Sequence, residues 1–148
     1  MGKSEGSKNE VKALAAALAN VDLFADLTSK QVTLVADLCR RERFNAGQVI
    51  VTQGTDSSRF YLVTEGEVSV KVNDRPIAGM GPGEYFGEIS MIDRGPRTAS
   101  VVAITDVVAY SLAFFSFRPL LKENPEIAIR MLVTMCERVR RLESALTI

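Results

Sequence analysis

The alternation of hydrophobic and polar positions divides the chain into a helical beginning, a β-rich middle and a helical end. Apolar residues recur at helical spacing from Val11 onward, and again on one face after Thr28. Over residues 41–112 the pattern changes to short alternating runs, which are typical of half-buried strands. Helical spacing returns over residues 113–146. The pattern therefore predicts an α+β fold that is mainly β, with helices at both ends.

Turn and capping residues set the boundaries of these elements. Thr28 and Gln31 have the spacing of a capping box, in which each side chain accepts a hydrogen bond from the other residue's backbone N–H. Asn73 and Asp74 predict a hairpin turn between two strands. Pro125 suits the first turn of a long final helix. Strands are predicted at residues 48–51, 59–63, 68–72, 76–78, 98–104 and 107–112.

Many short strands with turn residues between them are typical of an antiparallel β-barrel or jelly roll. We expect residues 1–10 to be disordered and residues 11–148 to form a single domain. Within that domain the N-terminal helices are predicted over 11–40, the barrel over 41–112 and two C-terminal helices over 113–146.

Composition removes several classes of function. The chain has 18 lysines and arginines and 18 aspartates and glutamates, whereas a nucleic-acid-binding protein usually has a basic surplus. It has no histidine, which excludes histidine general bases, histidine metal ligands and histidine-ligated haem. An oxygenase of the metal-dependent barrel type is excluded for the same reason. We therefore expect no enzyme activity, no metal, no cofactor and no nucleic-acid partner.

The two cysteines bear on the cellular compartment. Cys39 and Cys136 lie inside apolar helical patterns, so we expect both to be buried reduced thiols. Reduced thiols without an export signal are typical of a cytoplasmic protein. No apolar run approaches the roughly 20 residues needed to cross a bilayer, so no membrane insertion is expected.

The segment from Pro82 to Val101 contains the residues best suited to bind a ligand. Gly87 allows an unusual backbone angle or a close backbone approach. Residues 88–92 can form a short helical turn whose first N–H groups favour an anion. Arg97 offers a planar donor fork for a phosphate, and Glu88 can accept hydrogen bonds from sugar hydroxyls. Together they suit a ligand that has both an anionic group and a diol.

This segment resembles the phosphate-binding cassette of the cyclic nucleotide-binding domain family. That family includes bacterial catabolite activator proteins, protein kinase A regulatory subunits and cyclic-nucleotide-gated channels. The two halves of the cassette are matched by Phe86-Gly87-Glu88-Ile89 and by Arg97-Thr98-Ala99-Ser100-Val101. The flanking segments 21–27, 44–54 and 60–68 are similar to the family as well, so the resemblance covers roughly residues 21–143.

The resemblance implies a role for each cassette residue. Glu88 would hold the ribose 2′-hydroxyl, Arg97 would pair with the cyclic phosphate, and Gly87 would permit the tight turn. Backbone N–H groups around Ile89-Ser90 and Thr98-Ala99 would complete the phosphate cradle. The implied ligand-binding residues are Phe86, Gly87, Glu88, Ile89, Ser90, Arg97, Thr98 and Ala99. The ligand is predicted to be cAMP on family frequency, with cGMP as the alternative because Thr98 resembles a threonine that favours cGMP in some relatives.

The function implied is a receptor module that relays nucleotide binding through its C-terminal helices to a protein partner or a homodimer. A ligand-free interaction module that retains the fold is the alternative. The last helix has a heptad-like apolar seam with spacings of 4, 3, 4, 3 and 4. Its members are Ala128, Leu132, Met135, Val139, Leu142 and Leu146. The seam predicts either packing against the rest of the domain, or a dimer contact or lid.

Overall fold

The structure is a computed structural model that describes residues 5–146. The helices are α1 Glu5–Leu18, a 3₁₀ turn Asp22–Phe24, α2 Ser29–Leu38, α3 Glu88–Asp93, α4 Phe114–Glu123 and α5 Pro125–Leu146. The strands are β1 Arg40–Phe44, β2 Val49–Val51, β3 Arg59–Glu65, β4 Val68–Val72, β5 Arg75–Met80, β6 Tyr85–Phe86, β7 Ser100–Ala103 and β8 Val107–Ala113. The chain forms two compact units: a β unit of residues 39–116, and a helical unit of the residues up to Leu38 and from Phe117 onward.

The β unit consists of two four-stranded antiparallel sheets. One sheet has the order β1-β8-β3-β6 and the other the order β2-β7-β4-β5. All pairs are antiparallel, and consecutive strands switch between the two sheets except for the β4–β5 hairpin, as in a double-sheet jelly roll. The prediction of an antiparallel β fold with helices at both ends is confirmed.

Alternating side chains of the two sheets form the core of the β unit. Val68 and Val70 of β4 are buried, as the alternation in the sequence predicts. Tyr61 stacks on Phe86 with ring centroids 5.1 Å apart, and Phe44 meets Tyr61 edge-on at 6.3 Å. Because Phe86 is the residue before Gly87, this aromatic contact fixes the point at which the cassette leaves the sheet.

Two strands were not predicted from the sequence. β1 contains Arg40, Arg41 and Arg43, and it has only one buried residue, Phe44. It pairs only with β8, at the edge of its sheet, where charged residues are well tolerated. β6 has two residues and is defined by its pairing with β3, which a local pattern does not reveal.

Two local predictions are confirmed in detail. Gln31 N–H donates to Thr28 Oγ1 at 3.2 Å and Thr28 N–H donates to Gln31 Oε1 at 2.9 Å, which is the capping box. Asn73 and Asp74 have φ angles of 51° and 66° between β4 and β5. Positive φ at both turn residues is the geometry of a tight hairpin turn.

The N-terminal expectation is corrected in part. Helix α1 begins at Glu5, so residues 5–10 are helical and were not expected to be. This segment contains Gly6, Ser7 and Asn9, which are weak helix formers, and it has no apolar residue. Neither helix propensity nor apolar periodicity therefore reveals the first turns of α1. The remainder of the expected disordered segment, residues 1–4, lies outside the described residues.

Helix α5 is held within the helical unit through a face other than the predicted seam. Ile127, Met131 and Thr134 are buried, and Thr134 Oγ1 donates to Asp26 Oδ2 at 2.6 Å. Arg130 Nη1 donates to the Asp26 carbonyl oxygen at 2.9 Å. These contacts anchor the first half of α5 to the residues that follow the 3₁₀ turn.

Four of the six seam residues of α5 are exposed, whereas Ala128 and Met135 are half-buried. Leu132, Val139, Leu142 and Leu146 are 64%, 50%, 67% and 84% exposed. The interpretation of the seam as an internal packing face is therefore wrong for its four exposed leucine and valine residues, because the fully buried face of α5 lies one residue earlier in the helical repeat. These four residues form an exposed apolar stripe along the 22-residue helix.

The two cysteines differ in their surroundings. Both are free thiols, as expected, but Cys136 is exposed because it lies two residues beyond the buried face of α5. Cys39 is half-buried, and burial raises the pKa of its thiol to about 12. Only Cys39 therefore fits the expectation of an inert, shielded thiol.

Among the helices of residues 5–146, none combines the length and the apolar character required to cross a bilayer.

Candidate functional site

A cavity of about 440 Å³ lies within the β unit beside α3. This volume falls in the range of about 300–1,000 Å³ that is usual for small-molecule sites. All eight residues predicted from the sequence line it: Phe86, Gly87, Glu88, Ile89, Ser90, Arg97, Thr98 and Ala99. The remaining wall consists of Val51, Val70, Met80, Asp93, Gly95, Pro96 and Val101. The structure thus brings the two halves of the cassette together around one space.

Gly87 is the pivot between β6 and α3. Its φ angle is 85°, and its carbonyl oxygen accepts the Met91 N–H at 2.9 Å. A Cβ atom at this position would lie 2.5 Å from the Arg59 carbonyl oxygen and would overlap Arg97 Nη1. Only glycine therefore permits both the backbone angle and the close approach of the arginine.

Helix α3 is a single short turn whose first amides face no helical partner. Met91 is the first residue whose N–H bonds back within the turn, so the N–H groups of residues 88–90 precede the hydrogen-bond ladder. Met91 is buried and fixes the turn to the β unit, whereas Ile89 is 53% exposed at the edge of the cavity. Arg94 ends the turn with a φ angle of 56°. Free amides of this kind favour an anion.

Arg97 is the one buried charged residue among the described buried residues, with 5% of its surface exposed. Its Nη2 donates to Ser57 Oγ at 2.8 Å and also to the Arg59 carbonyl oxygen. Its Nε is buried and has no hydrogen-bond partner among residues 5–146. Burial lowers the pKa of Arg97, and the nearby Tyr61 and Glu88 act in the opposite direction. A buried cationic donor without a partner is costly, and an anion in the cavity would remove that cost.

The backbone of Arg97 is fixed as firmly as its side chain. Its N–H donates to the Thr55 carbonyl oxygen at 3.0 Å, and its own carbonyl oxygen accepts the Gly54 N–H at 2.9 Å. The loop after β2 therefore positions the second half of the cassette opposite the first. Glu88 is half-buried at the start of α3 and also lines the cavity.

The chemistry of the cavity divides into three parts. Arg97 and the free amides of α3 can bind an anion, and the Glu88 carboxylate can accept hydrogen bonds from hydroxyl groups. Val51, Val70 and Val101 form an apolar wall. The site therefore suits a ligand with an anionic group, hydroxyls and an apolar or aromatic body.

Sequence reasoning missed three contributions to the site. The valines of the wall could have been found, because the alternation in β2, β4 and β7 turns Val51, Val70 and Val101 toward the core. The Ser57 hydroxyl and the Arg59 carbonyl could not, because they lie 40 and 38 residues from Arg97 and carry no local signal.

Comparison with known proteins gives a consistent family. Residues 41–124, more than half of the chain, match the family described as "Cyclic nucleotide-binding domain". A cAMP-dependent protein kinase regulatory subunit from Eremothecium gossypii is 34% identical over 118 residues, covering 80% of this chain and 26% of the relative. The potassium/sodium hyperpolarization-activated cyclic nucleotide-gated channel 4 of Homo sapiens is 37% identical over 108 residues, covering 73% of this chain and 9% of the channel.

A solved structure agrees with these sequence matches. The N-terminal domain of a transcriptional regulator from Streptomyces coelicolor A3(2) superimposes with a TM-score of 0.82 and 31% identity, covering 87% of this chain and 96% of that domain. By contrast, this chain spans about a quarter of the kinase regulatory subunit and about a tenth of the channel.

The geometry at Gly87 generates a prediction with a matched control. Gly83 has a φ angle of 89° and open space where a Cβ would stand, whereas Gly87 has a similar angle and no space. Gly83→Ala should cost about 1–2 kcal/mol of unfolding free energy from backbone strain alone. Gly87→Ala should cost at least about 2 kcal/mol more, because the Arg59 carbonyl and Arg97 must move. Urea unfolding of the two variants measures the difference, and equal costs would show that the approach of Arg97 to Gly87 is not close.

Proposed function

Since the chain belongs to the cyclic nucleotide-binding domain family, we propose that it is a receptor module whose cavity binds a cyclic nucleotide and that has no catalytic activity of its own. The observation that carries the proposal is the buried Arg97, whose Nε lacks a partner in the wall of a cavity that Glu88 also lines. A cyclic phosphate and the ribose hydroxyl beside it offer an anion and a hydroxyl group to these two side chains.

Each part of a cyclic nucleotide has a counterpart in the site. Arg97 pairs with the cyclic phosphate, assisted by backbone N–H groups around Ile89-Ser90 and Thr98-Ala99. The Glu88 carboxylate accepts a hydrogen bond from the ribose 2′-hydroxyl. The base lies against the apolar wall, where Ile89 is exposed and available to cover it. Burying that exposed surface under a ligand is favourable because apolar area leaves water.

We favour cAMP over cGMP as the ligand. The name of the kinase relative specifies cAMP. Thr98, which resembles a threonine that favours cGMP in some relatives, is exposed and lines the cavity, so cGMP is the alternative ligand. Titration with both nucleotides distinguishes them.

Binding should depend strongly on Arg97. The wild-type protein should bind cAMP, and Arg97→Leu should lose on the order of 3–5 kcal/mol of binding free energy, or about a hundred-fold to several-thousand-fold in affinity. Isothermal titration calorimetry gives both values, and unchanged circular dichroism shows that the fold remains. Absence of binding by wild type at millimolar cAMP and cGMP would favour the alternative, an interaction module that keeps the fold without a ligand. A loss of cAMP affinity below about fivefold in the variant would show that Arg97 does not contact the phosphate.

We propose further that binding is relayed to the C-terminal helices through the start of α4. Phe114 N–H donates to the Ser58 carbonyl oxygen at 2.9 Å, and the Arg94 guanidinium lies 5.1 Å from the Phe114 ring centroid. The Arg59 guanidinium lies 5.8 Å from the ring centroid of Phe115. The first residues of α4 therefore contact both the end of α3 and the strand whose carbonyl holds Arg97.

These contacts give the ligand a route to the helices. Helix α4 begins in the β unit and continues into the residues of the helical unit. When the phosphate of the ligand binds the N–H groups of α3, the turn shifts and moves Arg94, which follows it. The contact between the Arg94 guanidinium and the Phe114 ring then changes. The ligand can drive such a change only through its different affinity for the two arrangements.

Hydrogen exchange with and without cAMP tests the relay. Protection should change in residues 87–97 and also in residues 114–145. Arg94→Gln removes the cation from the Phe114 ring and should reduce the response in 114–145 while cAMP affinity stays within about threefold, since a partly exposed cation–π contact is worth about 0.5–1 kcal/mol. Lys122→Gln, which removes a charge elsewhere on α4, is the control. A response confined to residues 87–97 in wild type would exclude the relay.

For the output of the module we propose self-association through the seam of α5. An apolar heptad seam is complementary to a second copy of itself, and four of the six residues of this seam are exposed. A protein partner with a matching apolar helix is the alternative occupant. We also propose that the protein is cytoplasmic, on the basis of its two reduced thiols.

Sedimentation equilibrium tests self-association. The wild-type protein should form a dimer, and Leu132→Glu together with Leu142→Glu should convert it to a monomer because two charges would be buried in the seam. Val133→Glu introduces a charge at a position 51% exposed and outside the seam, so it should leave the dimer intact. A wild-type protein that remains monomeric at high micromolar concentration would point to the protein partner instead.

A further inference from the structure

Ser57 is a half-buried residue outside the cassette, located just before β3. Its hydroxyl oxygen accepts a hydrogen bond from Arg97 Nη2 at 2.8 Å. The same nitrogen also donates to the Arg59 carbonyl oxygen, so both hydrogens of Nη2 have acceptors. The adjacent Nε has none among the described residues.

Two acceptors on one nitrogen restrain the whole guanidinium. The group is planar, so fixing Nη2 in two directions fixes the plane and the direction of the Nε–H bond. With a single acceptor, the guanidinium can pivot about that bond. The Arg59 carbonyl belongs to the backbone of β3 and is fixed by the sheet, which leaves the Ser57 hydroxyl as the variable second restraint.

We propose that Ser57 is a positioning residue of the anion site, which holds the Arg97 guanidinium so that Nε–H stays available to the ligand's phosphate. The proposal rests on the proposed function. Ser57 lies outside the cavity lining, so it acts through Arg97 rather than by touching the nucleotide. Its effect should therefore depend on the phosphate and not on the rest of the ligand.

The neighbouring Ser58 is a matched control. It is half-buried like Ser57 and belongs to the same backbone segment, but the serine hydroxyl that accepts from Arg97 is that of Ser57. Ser57→Ala removes the restraint, Ser58→Ala removes an equivalent hydroxyl beside it, and Ser57→Thr keeps the acceptor oxygen. Comparing the three variants separates a hydroxyl that acts on Arg97 from a general effect of truncation in this segment.

Two measurements test the proposal. Calorimetry should give a cAMP affinity about 5- to 20-fold weaker in Ser57→Ala, and within about twofold of wild type in Ser58→Ala and Ser57→Thr. Adenosine, which lacks the phosphate, should bind wild type and Ser57→Ala equally in an NMR shift titration. In the ligand-free protein, the Arg97 Nε–H signal should exchange with water faster in Ser57→Ala than in wild type.

The outcomes separate this proposal from the proposed function. If wild type binds cAMP and Ser57→Ala binds it equally well, the positioning role is wrong while the receptor function stands. If Ser57→Ala weakens the binding of adenosine as much as that of cAMP, Ser57 supports the cavity as a whole and the proposal is also wrong. If wild type binds no cyclic nucleotide, the receptor function fails, and an unchanged Arg97 Nε–H exchange rate in Ser57→Ala then overturns the restraint itself.

Discussion

The burial of the Arg97 guanidinium is the interaction on which the candidate site depends. Removing a permanently charged group from water costs free energy. A buried charge is therefore stable only where hydrogen bonds and an opposite charge compensate that cost. Here Ser57 and the Arg59 carbonyl satisfy one nitrogen, and Glu88 contributes an attractive charge. Nε remains without a partner among residues 5–146, so the compensation within the described part of the chain is incomplete.

The jelly roll supplies the rigid frame that this arrangement needs. Strand β3 pairs with both β6 and β8, so it connects the start of the cassette to the strand that leads into α4. Its first residue, Arg59, offers a carbonyl to Arg97 and a guanidinium to Phe115. Gly87 supplies the space in which β6, α3 and Arg97 come together. The same strand therefore positions Arg97 and the first residues of α4.

Local chemistry predicted much of this structure from the sequence. The capping box at Thr28 and Gln31, the turn at Asn73 and Asp74 and the alternation in β4 each depend on neighbouring residues, and each is observed. The cassette residues could be grouped only through the family resemblance, because a glutamate and an arginine nine positions apart carry little information by themselves.

The features that were missed depend on contacts distant in the chain. The arginine-rich β1 is a strand because β8 pairs with it, and Cys136 is exposed because Asp26 and Thr134 fix which face of α5 is buried. The heptad pattern in α5 was visible in the sequence, but Ile127, Met131 and Thr134 have the same spacing as the seam one residue later. Periodicity alone does not say which of these two faces is buried. Ser57 was invisible for the same reason, since only the fold brings it to Arg97.

The proposed receptor function requires Arg97 to pair with a negative charge on the ligand. A double-mutant-type cycle tests this pairing by combining the wild-type and Arg97→Leu proteins with cAMP and its uncharged phosphate methyl ester. If Arg97 pairs with the phosphate charge, esterification weakens binding to wild type by at least about a hundredfold and changes binding to Arg97→Leu by less than about threefold. Equal effects of esterification on the two proteins would contradict it.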